Sequence, residues 1–472
     1  ALTISGTSTA EAGQTVTVTL NGVNYSGNVQ ADGSWSVSVP TGDLANLTAS
    51  PYTVSAAVSD KAGNPASATH NLTVDLAAPV VTINTVAGDD IINATEHGQA
   101  QIISGSATGA TTGNTVSVTI GTTTYTTVLD ANGNWSIGVP ASVISGLADG
   151  TVTISATITD SAGNSSTQTH NVQVNTAAVS LSVSTISGDN IINAAEAGVA
   201  QTISGQVTGA EDGDTVTITL GGNTYTATVG SNLTWSVSVP AADIQALGNG
   251  DLTVSASVTN QNGNTGSGTR DITIDANLPG LRIDTVAGDD VINATEHAQA
   301  QIISGSATGA ATGSTVTVTI GTNTFTTVLD ASGNWSVGVP ASVVSALANG
   351  TVTINASVTD AAGNSGSATH QVTVNTGLPS ITFNAISGDN VLNADEKGQP
   401  LTISGSSTGL ATGAQVTVTL NGHNYSATTD AAGNWTLTVP VSDLAALGQA
   451  NYIVSASATS AAGNTASSQA NL

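Results

Sequence analysis

The chain has 472 residues and carries 31 Asp and Glu against only 4 Lys and Arg, so its formal net charge is −27. Nucleic acids and anionic membranes are bound by clustered cationic side chains, so this charge excludes both partners and points instead to a requirement for cations. Because there is no Cys, disulfides, thiolate nucleophiles and zinc–cysteine sites are excluded, and core packing or metal must hold the domains together. Met is absent too, so we expect a fragment or a processed chain.

The sequence repeats itself every 100 residues. The same step separates Trp35, Trp135, Trp235, Trp335 and Trp435, and also Pro40, Pro140, Pro240, Pro340 and Pro440. This period exceeds the roughly 20–50 residues of a solenoid unit and matches one β-sandwich domain with its own core. We therefore predict five domains in series, the first and last of them clipped, with boundaries at 1–75, 76–175, 176–275, 276–375 and 376–472. These segments are called repeats 1 to 5 below.

Within a repeat, apolar and polar residues alternate with the period of two that is typical of β-strands. In repeat 2 this pattern predicts strands at 80–86, 101–105, 115–120, 124–129 and 135–139, a crossing with one helical turn at 141–150, and inner strand faces at 152–158 and 170–174. Seven antiparallel strands in about 100 residues indicate an all-β, immunoglobulin-like sandwich with the Trp in its core. An odd number of strands puts the two termini at opposite ends, so the array is predicted to be rod-like and on the order of 200 Å long.

Four repeats contain a loop that reads Gly-Asp-(Asp/Asn)-x-x-Asn-x-x-Glu, at 88–96, 188–196, 288–296 and 388–396. Calcium takes six to eight oxygen ligands, which two carboxylates, an Asn and local carbonyls can supply, and the Gly lets the backbone turn so that these oxygens converge. The alternative is a solvated turn in which Asn and Asp side chains bond their own backbone. The candidate ligands are Asp89, Asp90, Asn93, Glu96, Asp189, Asn193, Glu196, Asp289, Asp290, Asn293, Glu296, Asp389, Asn393 and Glu396.

A second set of carboxylates is predicted to meet at the upper end of a sandwich, where the linker and the turns before the Trp strand and the last strand come together. Its members are Asp75, Asp130 and Asp160 for repeat 2 and Asp275, Asp330 and Asp360 for repeat 4. Repeat 3 has Asn175, Gly230 and Asn260 instead, and repeat 5 has Asn375, Asp430 and Ser460. Joint loss is expected of a shared metal site, since leftover carboxylates repel each other. We therefore predict calcium at the junctions, with the Gly-Asp loop facing the following domain from the lower end.

No catalytic constellation is recognisable in the sequence. Lys61 and Lys397 lie outside any phosphate-binding loop, and no HExxH motif is present. His70, His170 and His370 recur on the last strand, where a half-buried or strand-face His is the usual explanation. We predict that the chain is not an enzyme and consider two other functions: a stalk of calcium-rigidified spacers, and an array of modules that bind a glycan or a host protein through their loops.

The motifs ISG, D-x-x-GNW and D-x-AGN recur along the chain and are joined by the GDDxINxxE stretch. They resemble the bacterial Ig-like repeats of giant surface adhesins, in particular the biofilm-associated, BapA-type large repetitive proteins that are secreted by type I machinery. The resemblance covers essentially the whole chain. The resemblance implies an extracellular stalk on a Gram-negative cell, stiffened by calcium, that supports adhesion or biofilm formation. The implied partners are calcium ions and neighbouring repeats, together with other adhesin molecules or a host or matrix surface.

Overall fold

The computed structural model describes residues 1–472, apart from the side chain of Ser50. Each repeat folds into two β-sheets whose apolar faces enclose a core of its own. The alternating sequence of the strands produces this layering: Val116, Val118 and Ile120 are fully buried, while the residues between them are more exposed. The chain is thus a tandem array of all-β, immunoglobulin-like sandwiches, as the periodicity predicted.

The elements of the first two repeats are numbered in chain order. Repeat 1 contains β1 (Leu2–Thr7), β2 (Thr15–Leu20), β3 (Val23–Asn28), β4 (Ser34–Val39), α1 (Thr41–Leu44), β5 (Ser50–Ser59) and β6 (Pro65–Val74). Repeat 2 contains β7 (Val80–Val81), β8 (Ile91–Asn93), α2 (Ala94–His97), β9 (Gln101–Thr108), β10 (Thr115–Ile120), β11 (Thr123–Val128), β12 (Asn134–Val139), α3 (Ala141–Ile144), β13 (Gly150–Thr159) and β14 (Ser165–Asn175).

The remaining repeats follow the same order. Repeat 3 contains β15 (Ser180–Val183), β16 (Ile191–Asn193), α4 (Ala194–Ala197), β17 (Gln201–Thr208), β18 (Thr215–Leu220), β19 (Asn223–Thr228), β20 (Thr234–Val239), α5 (Ala241–Leu247), β21 (Gly250–Thr259) and β22 (Thr265–Asp275). Repeat 4 contains β23 (Gly280–Ile283), β24 (Val291–Asn293), α6 (Ala294–His297), β25 (Gln301–Thr308), β26 (Thr315–Ile320), β27 (Asn323–Val328), β28 (Asn334–Val339), α7 (Ala341–Val344), β29 (Gly350–Thr359) and β30 (Ser365–Asn375). Repeat 5 contains β31 (Ser380–Phe383), a 3-10 turn (Ile386–Gly388), α8 (Ala394–Lys397), β32 (Leu401–Thr408), β33 (Gln415–Leu420), β34 (His423–Thr428), β35 (Asn434–Val439), α9 (Val441–Ala445), β36 (Ile453–Thr459) and β37 (Thr465–Asn471).

The topology of repeat 2 refines the predicted strand count. One sheet has the order β7-β9-β12 and the other has the order β11-β10-β13-β14-β8. Seven strands are antiparallel to their neighbours, as predicted, but the short strand β8 lies parallel to β14. This eighth strand forms because the Gly-Asp loop crosses from the first sheet to the second and continues beside its last strand before α2 begins. Repeats 3 and 4 share this arrangement.

The Trp residues lie in the cores, as predicted, and a glycine makes room for each ring. Trp135 is 3% exposed, and a Cβ on Gly105 would lie 2.7 Å from its ring and still closer to the carbonyl of Thr82, the residue after β7. This contact explains the ISG motif, since any side chain there would push the first strand away. Trp35 of repeat 1 is only half-buried and lines a groove of about 480 Å³ beside β1, because β4 is the one described strand that pairs with β1.

The short helices complete the fold. Most of them span one turn, and α1, α3, α5, α7 and α9 each begin after a Pro. Within the part of the chain that the structure describes, no helix has the length and apolar composition needed to cross a membrane.

Candidate metal centre and repeat junctions

Two of the upper-end carboxyl residues of repeat 2 are brought together by one amide. Asp160 opens the turn between β13 and β14, where its Oδ1 accepts hydrogen bonds from the Ala162 and Asn164 main-chain amides at 2.9 and 2.8 Å. The Nδ2 atom of Asn164 donates to Asp160 Oδ2 at 3.0 Å and also to the main-chain oxygen of Asp75 at 3.1 Å. The linker and the turn are therefore joined through the Asn164 side chain.

The third predicted ligand, Asp130, stands apart from this pair. Its Oδ1 accepts hydrogen bonds from the amides of Asn132 and Asn134, both at 2.8 Å, in the turn that precedes the Trp strand β12. Among the described residues, no hydrogen bond connects Asp130 with Asp75 or Asp160. The structure therefore brings Asp160 near the main-chain oxygen of Asp75, while the Asp75 carboxylate accepts from the Ala77 amide and Asp130 stabilises its own turn.

The upper end of repeat 4 is built in the same way. Asn364 Nδ2 donates to the main-chain oxygen of Asp275 at 2.8 Å and to Asp360 Oδ2 at 3.1 Å. Asp330 accepts hydrogen bonds from two amides of its own turn, as Asp130 does. The two upper ends that carry Asp therefore share these hydrogen bonds.

These groups provide only part of a calcium site. The hydrogen bond from the Asn164 side chain holds the pKa of Asp160 below its usual value, although burial opposes this, so the carboxylate is ionised. Its Oδ2 and the Asp75 carbonyl converge on one position, but calcium requires six to eight oxygens. In the described residues, no group of three or more acidic or His side chains is placed to hold a metal ion. The upper end supplies two convergent oxygens and not a complete cage.

The lower-end loop is stabilised by local hydrogen bonds. Asn93 is the N-cap of α2: its Oδ1 accepts from the Thr95 and Glu96 amides, and Glu96 Oε2 accepts from the Asn93 amide, which completes a capping box. Asp89 accepts from the Ile91 amide at 2.9 Å. The same bonds recur with Asn193, Glu196 and Asp189, with Asn293, Glu296 and Asp289, and with Asn393, Glu396 and Asp389. This geometry corresponds to the turn alternative.

Asp90 has a partner that sequence reasoning missed. It adopts a φ of 65°, and its Oδ1 accepts hydrogen bonds from the Val86 amide at 2.8 Å and from His170 Nε2 at 2.7 Å. Burial opposes ionisation of Asp90, but these hydrogen bonds outweigh it and hold the pKa of the carboxyl group below its usual value. The hydrogen bond between Asp90 and His170 connects the lower-end loop with β14, the last strand of the repeat.

The same pairing recurs in repeat 4 and is replaced in repeat 3. Asp290 and His370 are 2.7 Å apart, and the His370 hydrogen bond lowers the pKa of Asp290. Repeat 3 has Asn190 and Arg270 at the positions of this Asp and His. The Arg270 guanidinium donates to the carbonyl of Val183. The joint occurrence of His on the last strand and Asp in the loop is the sequence signal that could have identified this contact.

Consecutive repeats are joined by an Asn that belongs to neither predicted ligand set. Asn264, in the turn between β21 and β22, is 4% exposed. Its Oδ1 accepts a hydrogen bond from the Ala94 amide of repeat 2 at 2.7 Å, and its Nδ2 donates to the linker carbonyl of Asn175 at 3.0 Å. The predicted approach of the lower-end loop to the following repeat is confirmed, and the contact consists of hydrogen bonds.

Two further junctions repeat this contact. Asn364 accepts from the Ala194 amide at 2.7 Å, and Asn464 accepts from the Ala294 amide at 2.7 Å while donating to the Asn375 carbonyl at 2.8 Å. We call Asn264, Asn364 and Asn464 the junction asparagines. Their sequence signal is the Gly-Asn pair that recurs with the 100-residue period and that ends the D-x-AGN motif.

The chain is similar to one protein family and to several solved adhesin structures. A family model described as a bacterial Ig-like domain matches residues 1–76, 86–176 and 384–472, more than half of the chain. A Ca²⁺-stabilized adhesin with which an Antarctic bacterium binds ice is 37% identical, with 84% of this chain and 99% of that chain covered and a TM-score of 0.36. A tetra-tandem repeat from the extending region of a large adhesion protein is 29% identical, with coverages of 84% and 99% and a TM-score of 0.32. The search of curated proteins found no match.

A third similar structure comes from a bacterial ice-binding adhesin studied for its host cell surface retention. It is 34% identical, with 64% of this chain and 100% of that chain covered and a TM-score of 0.34. Since these TM-scores are low, the relationship rests on sequence identity and on the family model, and not on superposition of the whole chains.

Proposed function

The chain belongs to the bacterial Ig-like domain family, and we propose that it is a structural stalk segment of a bacterial cell-surface adhesin. Two sequence comparisons support the proposal: the similar tetra-tandem repeat belongs to an extending region, and the 37% identical protein is an adhesin. In this proposal the segments 1–75, 76–175, 176–275, 276–375 and 376–472 are successive domains. Their function is mechanical, because each of them spaces the next one from the cell.

The observation that carries the proposal is the bonded junction between consecutive sandwiches. A stalk must resist bending where one domain follows another, and the Asn264 side chain holds both the preceding repeat and the linker there. The contact recurs with the period of the sequence, which is expected if every domain serves the same spacing function.

Calcium is the second part of the proposal. We assign it to the upper ends that carry carboxylates, at Asp75 and Asp160 and at Asp275 and Asp360, with Asp130 and Asp330 as the third carboxylates. The net charge of −27 favours divalent cations, and the 37% identical adhesin is described as Ca²⁺-stabilized. Extracellular modules bind calcium at about 10⁻⁴ to 10⁻³ M, so the surrounding medium would supply the ion.

The cellular setting is part of the same proposal. An extracellular location on a Gram-negative cell, secretion by type I machinery and support of biofilm formation agree with a chain that has no Cys to form disulfides before or during export. The role is non-enzymatic, and its partners are calcium ions, the neighbouring repeats and the surface to which the whole adhesin binds.

The alternative of a binding array has less support, because three Tyr residues that follow hairpin turns are already bonded within their own repeats. The hydroxyls of three Tyr residues donate to helix carboxylates within their own repeats, in the pairs Tyr25–Asp43, Tyr225–Asp243 and Tyr425–Asp443. Burial, together with the hydrogen bond to Asp443, raises the pKa of Tyr425 to about 12. These three rings are also half-buried and pack against the cores of their repeats, so only part of each ring is open to a glycan.

Small-angle X-ray scattering of the whole chain tests the stalk. With calcium present, we expect an elongated particle whose maximum dimension is on the order of 200 Å, as five sandwiches in series require. A compact particle in calcium and in EDTA would contradict the stalk and would favour a binding array.

Calorimetric unfolding tests the calcium sites separately. Calcium is expected to raise the melting temperature of the parent chain, and this rise is expected to shrink in the variant Asp75→Asn/Asp130→Asn/Asp160→Asn. Asp212→Asn, an exposed substitution in repeat 3, is the control for the loss of charge alone. Equal calcium responses in all three proteins would place the ions elsewhere.

A further inference from the structure

We propose that the docking contact made by the junction asparagines fixes the orientation of consecutive repeats without a metal ion. The interacting surfaces are the lower-end helix N-terminus of one repeat and the Gly-Asn turn of the next. This inference deepens the proposed stalk function and rests on it, since it names the partner surface through which each repeat holds its neighbour.

The helix side of the contact offers one hydrogen-bond donor. The capping box of α2 satisfies the amides of Asn93, Thr95 and Glu96 within the repeat. The Ala94 amide, at the first helical position, has no partner in the capping box, and it donates to Asn264 of the next repeat. The capping box therefore selects which N–H group is presented to the neighbour.

The turn side requires an Asn. The Asn264 side chain accepts through Oδ1 from Ala94 while donating through Nδ2 to the Asn175 carbonyl, and an amide is the short side chain that does both at once. An Asp could not donate, and a Ser would be too short to span the two partners. Because Asn264 is 4% exposed, losing either partner would leave a buried polar atom unsatisfied.

The neighbouring glycine allows the two repeats to approach. Gly263 has a φ of +79°, and a Cβ on it would lie 2.7 Å from Nδ2 of Asn93 in the preceding repeat. At the next two junctions the corresponding distances are 3.4 Å for Gly363 and 3.1 Å for Gly463. The Gly-Asn pair thus combines a left-handed turn with an open surface for the capping-box Asn.

The contact is the same at a junction that carries none of the three candidate ligands. The junction between repeats 2 and 3 has Asn175, Gly230 and Asn260 at the predicted ligand positions, whereas the next junction has Asp275, Asp330 and Asp360. Both nevertheless have the same two hydrogen bonds at the junction asparagine, each within 3.0 Å. The docking geometry therefore does not depend on the carboxylates.

The burial of the turn Asn follows the presence of a docking partner. Among the residues that the structure describes, Asn64 of repeat 1 is exposed and bonds only within its own turn, and Asn164 is half-buried and bonds to the linker but to no helix. Asn264, which bonds to both the linker and the preceding helix, is buried. Neighbour docking is thus what distinguishes otherwise equivalent turns.

Double electron–electron resonance, which measures the distance between two spin labels, tests the proposal on the whole chain in EDTA. The chain has no Cys, so spin labels can be placed at Thr126→Cys and Thr226→Cys, two exposed equivalent positions in repeats 2 and 3. We expect a narrow distance distribution that calcium leaves unchanged. We expect the narrow peak to be lost in Ala94→Pro, which removes the single donated N–H at a helix position where Pro is well tolerated.

Two matched controls and a second variant keep the test decisive. Ala394→Pro makes the same change at α8, whose first amide contacts no further repeat in the described chain, and is expected to keep the peak. Asn264→Ala removes the other half of the contact and is expected to lose it, whereas Asn64→Ala is expected to keep it. A narrow peak in both Ala94→Pro and Asn264→Ala would overturn the docking contact while leaving the stalk intact. Broad distributions in the parent, with and without calcium, would overturn the stalk as well.

Discussion

The junction between repeats 2 and 3 and the junction between repeats 3 and 4 have the same hydrogen bonds but different charges. In the first, Asn260 Nδ2 donates to the carbonyl of Gly209 at 2.8 Å, so the turn is satisfied within its own repeat. In the second, Asp360 cannot donate, and its Oδ2 accepts from the junction asparagine Asn364 instead. The comparison separates two functions: the junction asparagine docks the repeats, and the carboxylates add negative charge that a cation can neutralise.

The largest expected effect comes from closing the space between the docked surfaces. Gly263→Val at the neutral junction forces a branched side chain into a left-handed turn, which costs about 1–3 kcal/mol, and also breaks the docking contact, which costs about 1–3 kcal/mol more. Denaturant unfolding of the whole chain measures the loss. Gly163→Val imposes the same backbone strain where no helix approaches, since nothing lies within 4 Å of its Cβ position. Equal losses in the two variants would mean that docking adds no stability.

The second prediction converts the neutral junction into a charged one. In Asn175→Asp/Asn260→Asp, the loss of the donor to the Gly209 carbonyl is expected to destabilise repeat 3 by about 1–2 kcal/mol in EDTA. Calcium is expected to restore most of this loss, because the new carboxylates reproduce those of repeats 2 and 4. Thermal unfolding in EDTA and in calcium measures the destabilisation and its recovery. The single variant Asn260→Asp shows how much of the calcium response depends on the change at the linker residue Asn175. A variant that calcium does not stabilise would contradict the proposed ligands.

The third prediction makes the opposite change at the charged junction. Asp360→Asn keeps a side chain of the same shape, and its effect in EDTA is expected to stay within about 1 kcal/mol because Asn364 keeps its other partners. The calcium response of repeat 4 is expected to fall, as measured by calcium titration calorimetry. Asp212→Asn, which removes one exposed carboxylate from repeat 3, is the control for the number of charges. An unchanged calcium response in Asp360→Asn would remove this residue from the site.

The smallest expected effect concerns pH. The pKa values of Asp90 and Asp290 are lowered in the folded chain, so the unfolded chain binds more protons as the solution becomes acidic. The stability that these two carboxylates contribute is present above their ordinary pKa and is lost as the pH falls through the lowered values. Repeat 3 has Asn190 at this position and is expected to lack the effect.

Melting temperatures measured as a function of pH check the direction of this change in stability. The difference in melting temperature between the parent and Asp90→Asn/Asp290→Asn is expected to be largest near neutral pH and to vanish in acid. His170→Gln/His370→Gln is expected to reduce the same difference, because Gln donates a weaker hydrogen bond to the carboxylate. A difference that is independent of pH would contradict the assignment of the pairs.

Features that depend on neighbours along the chain can be read from the amino-acid sequence. Alternation at residues such as 115–120 specifies a strand and its buried face, the Trp period specifies one core per repeat, and Asn93 with Glu96 is a capping box within four residues. Such contacts are encoded locally, since the partners are separated by a few residues and their geometry follows from the helix or strand that contains them.

Contacts between groups that are distant along the chain depend on how the sandwiches fold and pack. Ala94 and Asn264 are 170 residues apart, and Asp90 and His170 are 80 residues apart, so no local pattern places them within hydrogen-bond distance. The parallel eighth strand and the separation of Asp130 from Asp75 likewise depend on the path of a loop between two sheets. The physical reason is that a few ångströms decide whether an oxygen contacts an amide or not, and that distance is fixed by how the ends of two sandwiches pack.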